Sequence, residues 1–177
     1  MNFSHITIIE GDPKSTDKES KRICISILGD KFKYKINKCI CSDVIYIDSK
    51  SKKSIGISEV RKIQSEVLLK PVECEFKIYI FKNSQILTEQ AQNALLKILE
   101  EPPEHVFFLF LCTNCRKLIP TVLSRASIIH INDDDQNFTN EDLDKLINAV
   151  QNNNKFDILT IGEKLGMENI FMILEES

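Results

Sequence analysis

Two hydrophobic periodicities alternate along the first three quarters of the chain. Residues 6–9 (Ile-Thr-Ile-Ile) form a short β-rich run that ends at Gly11-Asp12-Pro13, a turn signal. From about Thr16 to Leu28, Ile23, Ile27 and Leu28 fall at helical spacing behind a charged start. Val-Ile-Tyr-Ile between Asp43 and Asp48 predicts a second strand. Ser58 reads as a helix N-cap, and Val60, Ile63 and Val67 then recur at helical spacing up to Pro71. Residues 76–81 predict a third strand. The clearest helix covers about 88–101, where Ala91, Ala94, Leu95, Ile98 and Leu99 make one apolar stripe and Pro102-Pro103 ends it. Residues 106–112 are apolar at every position, as in a strand covered on both faces. Residues 127–131 add a last short strand.

Strands that alternate with helices argue for a parallel sheet flanked by helices, an α/β fold. After Asp133-Asp134-Asp135 the strand signals stop. Leu143, Leu146, Ile147 and Val150 keep helical spacing, and 156–165 and 167–174 read as two further helices around Gly166. The predicted organisation is an α/β core over 1–134 and a small helical appendage over 135–177.

Composition agrees with a soluble globular chain: 177 residues, 42% hydrophobic and 28% charged. The longest apolar run falls well short of the ~18 residues a membrane helix needs. The N-terminus lacks the basic start and apolar core of a signal peptide, so the expected location is the cytoplasm. Charge is uneven. Residues 14–53 carry 11 Lys/Arg against 5 Asp/Glu, and residues 133–177 carry 3 against 11. The first stretch is either a solvated face or a basic face for nucleic acid or an acidic partner. Six cysteines are expected as free thiols in such a compartment. Cys112 and Cys115 have metal-ligand spacing, and Cys39 and Cys41 could add two more ligands. Cys112 nevertheless ends an apolar run and reads better as a core residue, so no metal site is expected.

A parallel α/β sheet places its ligand beyond the C-terminal ends of its strands. A phosphate loop there needs Gly, four residues, then Gly-Lys-Ser/Thr. Counting from Gly11, those last three positions hold Thr16, Asp17 and Lys18. An acid stands where the phosphate-binding lysine is required. The third strand is a second test, because a magnesium-binding acid should follow it. Lys82 and Asn83 follow instead. Both halves of a nucleotide-hydrolysing site are missing, and no bound cofactor is expected.

Ala91-Gln92-Asn93-Ala94-Leu95-Leu96-Lys97-Ile98-Leu99-Glu100-Glu101-Pro102-Pro103 closely resembles the signature of bacterial clamp-loader subunits of the AAA+ class. Arg61-Lys62-Ile63-Gln64, Lys70-Pro71 and Ser4-His5 stand in the order that family shows. Residues 107–114 look like its fourth strand and sensor-one segment, with Thr113 and Asn114 at the sensor-like positions. Residues 118–126 look like the segment ending in its Ser-Arg-Cys motif, with Ala126 in place of the cysteine. The likeness covers nearly all of residues 1–131. With Asp17, Lys82 and Asn83 at the decisive positions, the chain resembles the non-hydrolysing delta-prime branch rather than the ATPase motor branch.

The resemblance implies an AAA+ core of five parallel strands and a helical lid at 135–177. A third, collar domain would be absent, the isolated chain monomeric and the parent protein longer. It implies a subunit that assembles with delta and motor subunits of DNA polymerase III to load the sliding clamp on primed DNA. Arg125 would be an arginine finger acting on a neighbour's ATP, with Ser124 positioning it. Asn114 would survive as a structural hydrogen-bonding group. The family's four-cysteine zinc module would be lost. Two alternatives stand beside this reading. One is an ATPase using Lys14 or Lys18 on phosphate; the other is a DNA-binding module built on 14–53.

Overall fold

The computed structural model describes residues 4–48 and 54–131. Five strands form one parallel sheet: β1 (Ile6–Glu10), β2 (Val44–Ile47), β3 (Lys77–Phe81), β4 (Val106–Cys112) and β5 (Ser127–His130). Their order is β2-β3-β4-β1-β5. The register sets Ile8 beside Phe110 on one side and Ile128 on the other, and Tyr79 beside Phe108. The connections carry α1 (Pro13–Leu28), α2 (Lys33–Asn37), α3 (Ile57–Glu66), α4 (Glu89–Glu100) and α5 (Pro120–Leu123). The expected five-stranded parallel sheet flanked by helices is therefore present. The expected appendage over 135–177 lies outside the described residues.

Strand order decides which helix covers which face. The chain leaves β1 toward the far edge at β2, then steps back through β3 and β4 and over β1 to β5. Right-handed crossovers send these two directions of travel to opposite faces. Accordingly, Ile23, Cys24 and Leu28 of α1 and Ile36 of α2 pack on Ile9, Ile78, Ile80, Leu109 and Leu111. On the other face, Val60, Ile63, Leu95, Ile98 and Val122 pack on Ile8, Tyr79, Phe81, Phe108 and Phe110. Alternate residues of each strand serve alternate faces, as pleating requires. Phe81 stacks on Phe110 with centroids 4.7 Å apart, and Tyr79 on Phe108 at 5.6 Å. Full burial of each such ring contributes about 1.5–3 kcal/mol.

Local chemistry moves several boundaries from their expected places. The first helix starts at Pro13 rather than near Thr16, because Asp12 caps it and proline suits its first turn. It ends at Gly29, whose φ of 94° is a conformation other residues resist. The third helix begins after Gly56, not at a Ser58 cap; the Ser58 hydroxyl instead donates to Glu59 at 2.7 Å. It stops at Glu66, short of Pro71. The short α2 is absent from the periodicity reading because Ile36 is its one buried residue.

A buried carboxylate fixes the start of β2. Asp43 is fully buried and accepts the backbone N–H groups of Val72 (2.7 Å), Glu73 (2.8 Å) and Cys74 (2.8 Å). Burial pushes its carboxyl up, but those three donors outweigh it and leave it below the ordinary carboxylate range. The segment before β3 is thereby tied to the edge strand.

No helix among the described residues is long and apolar enough to cross a membrane.

Candidate functional site

A cleft of about 410 Å³ opens at the C-terminal ends of β1, β3 and β4. Its lining includes Pro13, Lys14, Thr16, Asp17, Lys82, Asn83 and Thr113. The crevice arises because the chain leaves β1 and β4 toward opposite faces of the sheet. The positions singled out for a phosphate site thus converge on one place. Gly11 and Lys18 are not in the lining.

The β1–α1 turn is too short to be a phosphate loop. Gly11 and Asp12 alone separate strand from helix, so Thr16, Asp17 and Lys18 lie inside the helix. Gly11 suits a close approach, since a Cβ there would meet the Ile131 carbonyl oxygen at a tight 3.0 Å. Asp12 accepts from the backbone N–H of Lys14 at 2.8 Å and of Ser15 at 3.2 Å. These first-turn amides are the donors a helix offers to an anion. Here a fixed carboxylate of the chain already holds them. Thr16 is buried, with its hydroxyl donating to the Pro13 carbonyl at 3.3 Å.

Asp17 and Lys82 are paired across the cleft. Lys82 Nζ lies 2.9 Å from Asp17 Oδ1, and Lys21 Nζ lies 2.7 Å from Asp17 Oδ2. Lys82 Nζ also sits 5.0 Å from the centroid of the Tyr46 ring. Burial pushes the Asp17 carboxyl up; the two cations more than offset this and hold it below its usual range. A phosphate loop needs a lysine where Asp17 stands, and an acid is needed where Lys82 stands. The two charges stand in exchanged places and pair with one another, Lys21 sharing the same carboxylate. Asn83 follows in the left-handed region at φ 52°, which asparagine tolerates better than most residues.

Replacing Lys82 with alanine is expected to cost about 1 kcal/mol, because the pair is partly solvated. The sign of its pH dependence follows from Asp17. A carboxyl lowered in the fold contributes stability that is present above its unfolded value of about 3.9 and is lost as pH falls through the folded value. Urea midpoints of the two proteins should differ at pH 7 and converge below about pH 4. A difference that persists in acid would show that the pair is not its source.

Further polar contacts surround the ends of β1 and β4, and those of Glu10 and Gln92 were not anticipated from the sequence. Glu10, the last residue of β1, accepts from the Cys115 backbone N–H at 2.8 Å and meets His130 Nδ1 at 2.7 Å. The Cys115 N–H bond is the first reason its carboxyl is lowered. Asn114 Oδ1 accepts the Arg116 N–H at 3.0 Å, a structural cap. Thr113 accepts from Gln85 Nε2 at 3.3 Å. Buried Gln92 of α4 accepts the Ile119 N–H at 2.8 Å and donates to the Leu87 carbonyl at 3.1 Å. Gln92 thus fixes the approach to α5.

Arg125 does not line this cleft. It stands just before β5, at the N-terminal end of the sheet, whereas the cleft lies at the C-terminal end. Its guanidinium donates to the Thr121 carbonyl at 2.8 Å and to Ser124 Oγ at 3.4 Å, and pairs with Glu100 Oε1 at 2.9 Å. Ser124 therefore touches the residue it was expected to position. About a third of the Arg125 side chain is exposed.

Cys112 is buried at the end of β4, as its apolar surroundings suggest. Among the described residues no group of three or more His, Cys, Asp or Glu side chains is arranged to hold a metal ion. Three cations of the basic stretch are paired within the chain: Lys21 with Asp17, Arg22 with Glu19 and Lys35 with Glu73.

Comparison with known proteins gives the family. Residues 8–135 match the family model described as DNA polymerase III, delta subunit. The chain is 38% identical over 91 residues to DNA polymerase III subunit gamma of Buchnera aphidicola, covering 51% of this chain and 25% of that protein. It is 42% identical over 85 residues to subunit tau of Bacillus subtilis, covering 48% and 15%. For subunit tau of Escherichia coli the figures are 39% over 89 residues, 50% and 14%. The matched part thus spans a quarter or less of each of these relatives. The crystal structure of a gamma subunit-related protein from Thermotoga maritima shares the fold, with a TM-score of 0.58 at 24% identity over 96% of this chain and 56% of that one. The chain belongs to the DNA polymerase III delta-subunit family, a clamp-loader-related family that also resembles gamma and tau subunits.

Proposed function

We propose that this chain is a delta-prime-like, non-hydrolysing clamp-loader subunit of DNA polymerase III. In that role it assembles with delta and motor subunits, helps place the sliding clamp on primed DNA, and supplies Arg125 to ATP bound by a neighbour. The observation that carries the reading is the Asp17–Lys82 pair. A nucleotide triphosphate entering the cleft meets a carboxylate where it needs a lysine, and its magnesium meets an ammonium where it needs an acid. The Asp12 cap removes the helix amides as an alternative anchor. The position of Arg125, outside its own cleft and partly exposed, supports a role in trans. The helical lid over 135–177 belongs to the same proposal.

The direct test is calorimetric titration of the chain with ATP and magnesium. No binding heat is expected up to millimolar nucleotide. Tight, magnesium-dependent binding would overturn the reading in favour of an ATPase with an unusual site at Lys14 or Lys18.

A further inference from the structure

Two unbridged thiols face each other at the start of edge strand β2. Cys41 Sγ and Cys74 Sγ are 3.7 Å apart, and both cysteines are free. A rigid frame brings them together. Asp43 accepts the N–H of Cys74 itself and of the two residues before it. The Glu73 carboxylate accepts the Ser42 N–H at 2.9 Å and pairs with Lys35. Both backbones are thus held, and the sulfurs would have to close from 3.7 Å to the ~2.05 Å of a disulfide. Access is unequal: Cys41 is 5% exposed, whereas Cys74 is only partly buried.

We propose that Cys41 and Cys74 are a reversible disulfide site, oxidised by low-molecular-weight disulfides, that staples the segment before β3 to the start of β2. Cys74, the more accessible sulfur, loses its proton to solvent and attacks a disulfide RSSR. One S–S bond breaks, and the departing RS⁻ takes up a proton. Cys41 then loses its proton and attacks Cys74 Sγ in the mixed disulfide, releasing the second RSH. Two protein thiols are oxidised and RSSR is reduced to two RSH, so electrons and protons balance.

The pair lies at the N-terminal end of β2, away from the cleft, and does not depend on the clamp-loader reading. The stapled segment follows the most exposed apolar stretch described: Leu68, Leu69 and Val72 are 74%, 60% and 81% exposed. Oxidation would therefore stiffen the support of that surface. Reaction should be slow at neutral pH. Burial first, then Cys41 and the Asp43 and Glu73 carboxylates, push the Cys74 thiol up to about 12. Thiolate is scarce there, and oxidation should accelerate as pH rises.

The test is to incubate the reduced full chain with glutathione disulfide at about pH 8.5, digest it and map the peptides by mass. The expected product joins the Cys41 and Cys74 peptides with the loss of two hydrogens, and titratable thiols fall from six to four. The thermal midpoint should rise by on the order of 10 °C, and dithiothreitol should reverse all three changes. Cys39→Ser, at an exposed position, should keep the cross-link, and Cys74→Ser should lose it. Recovery of Cys41 and Cys74 unlinked, separately capped by glutathione, or bonded to Cys39 would overturn the proposal. Mapping the unaltered sequence gives this answer whether or not the variants fold.

Discussion

Arg125→Ala is expected to lower ATP turnover at the neighbouring site of the assembled clamp loader by about 10³–10⁵-fold. In the proposed role the guanidinium would stabilise negative charge that develops on the transferred phosphoryl group, and alanine would offer nothing in its place. The fold should survive. The Arg125–Glu100 pair is exposed on both sides, so its loss should cost no more than about 1 kcal/mol. Steady-state ATPase measurements on the reconstituted complex check the first effect, and thermal unfolding of the chain alone checks the second. Arg125→Lys should also fail, because an ammonium lacks the planar fork that reaches two oxygens at once. Unchanged turnover in both variants would remove the finger assignment while leaving the family membership untouched.

Asp43→Ala is expected to destabilise the fold by about 3 kcal/mol. It strands three backbone N–H groups at a site the carboxylate now fills. Asp43→Asn keeps one acceptor oxygen and should lose less. The pH dependence has a definite sign. The folded carboxyl titrates below its unfolded value of about 3.9, so its contribution is complete above that value and disappears as pH falls through the folded one. Urea denaturation at pH 7 and near pH 3 measures both quantities. A loss under about 0.5 kcal/mol at pH 7, no larger than a neutral surface change, would show that the three hydrogen bonds do not hold the segment.

Legibility differed from element to element for physical reasons. The stripe from Ala91 to Leu99 and the apolar run of β4 were plain, because burial on one face or two writes a local period into adjacent residues. Helix α2 was silent, since a single buried Ile36 among lysines makes no period. The start of α1 was misplaced because Asp12-Pro13 signals both a turn and a capped helix, and only the path of the chain after β1 chooses between them. At the candidate site, the wrong residue types at positions 17 and 82 were readable one at a time. Glu10, Gln92 and Asp43 were not, because their partners are backbone amides remote in sequence, and any acid or amide looks alike until those amides are near.

The alternation of strands and helices, the clamp-loader signature and the acid at position 17 were determined by the sequence alone. Each depends on residue type and short-range spacing. Tertiary structure decided that Asp17 and Lys82 cancel each other across one cleft, that Arg125 stands at the opposite end of the sheet, and that Cys41 meets Cys74. Those are distances through space, and strand order, not sequence separation, sets them.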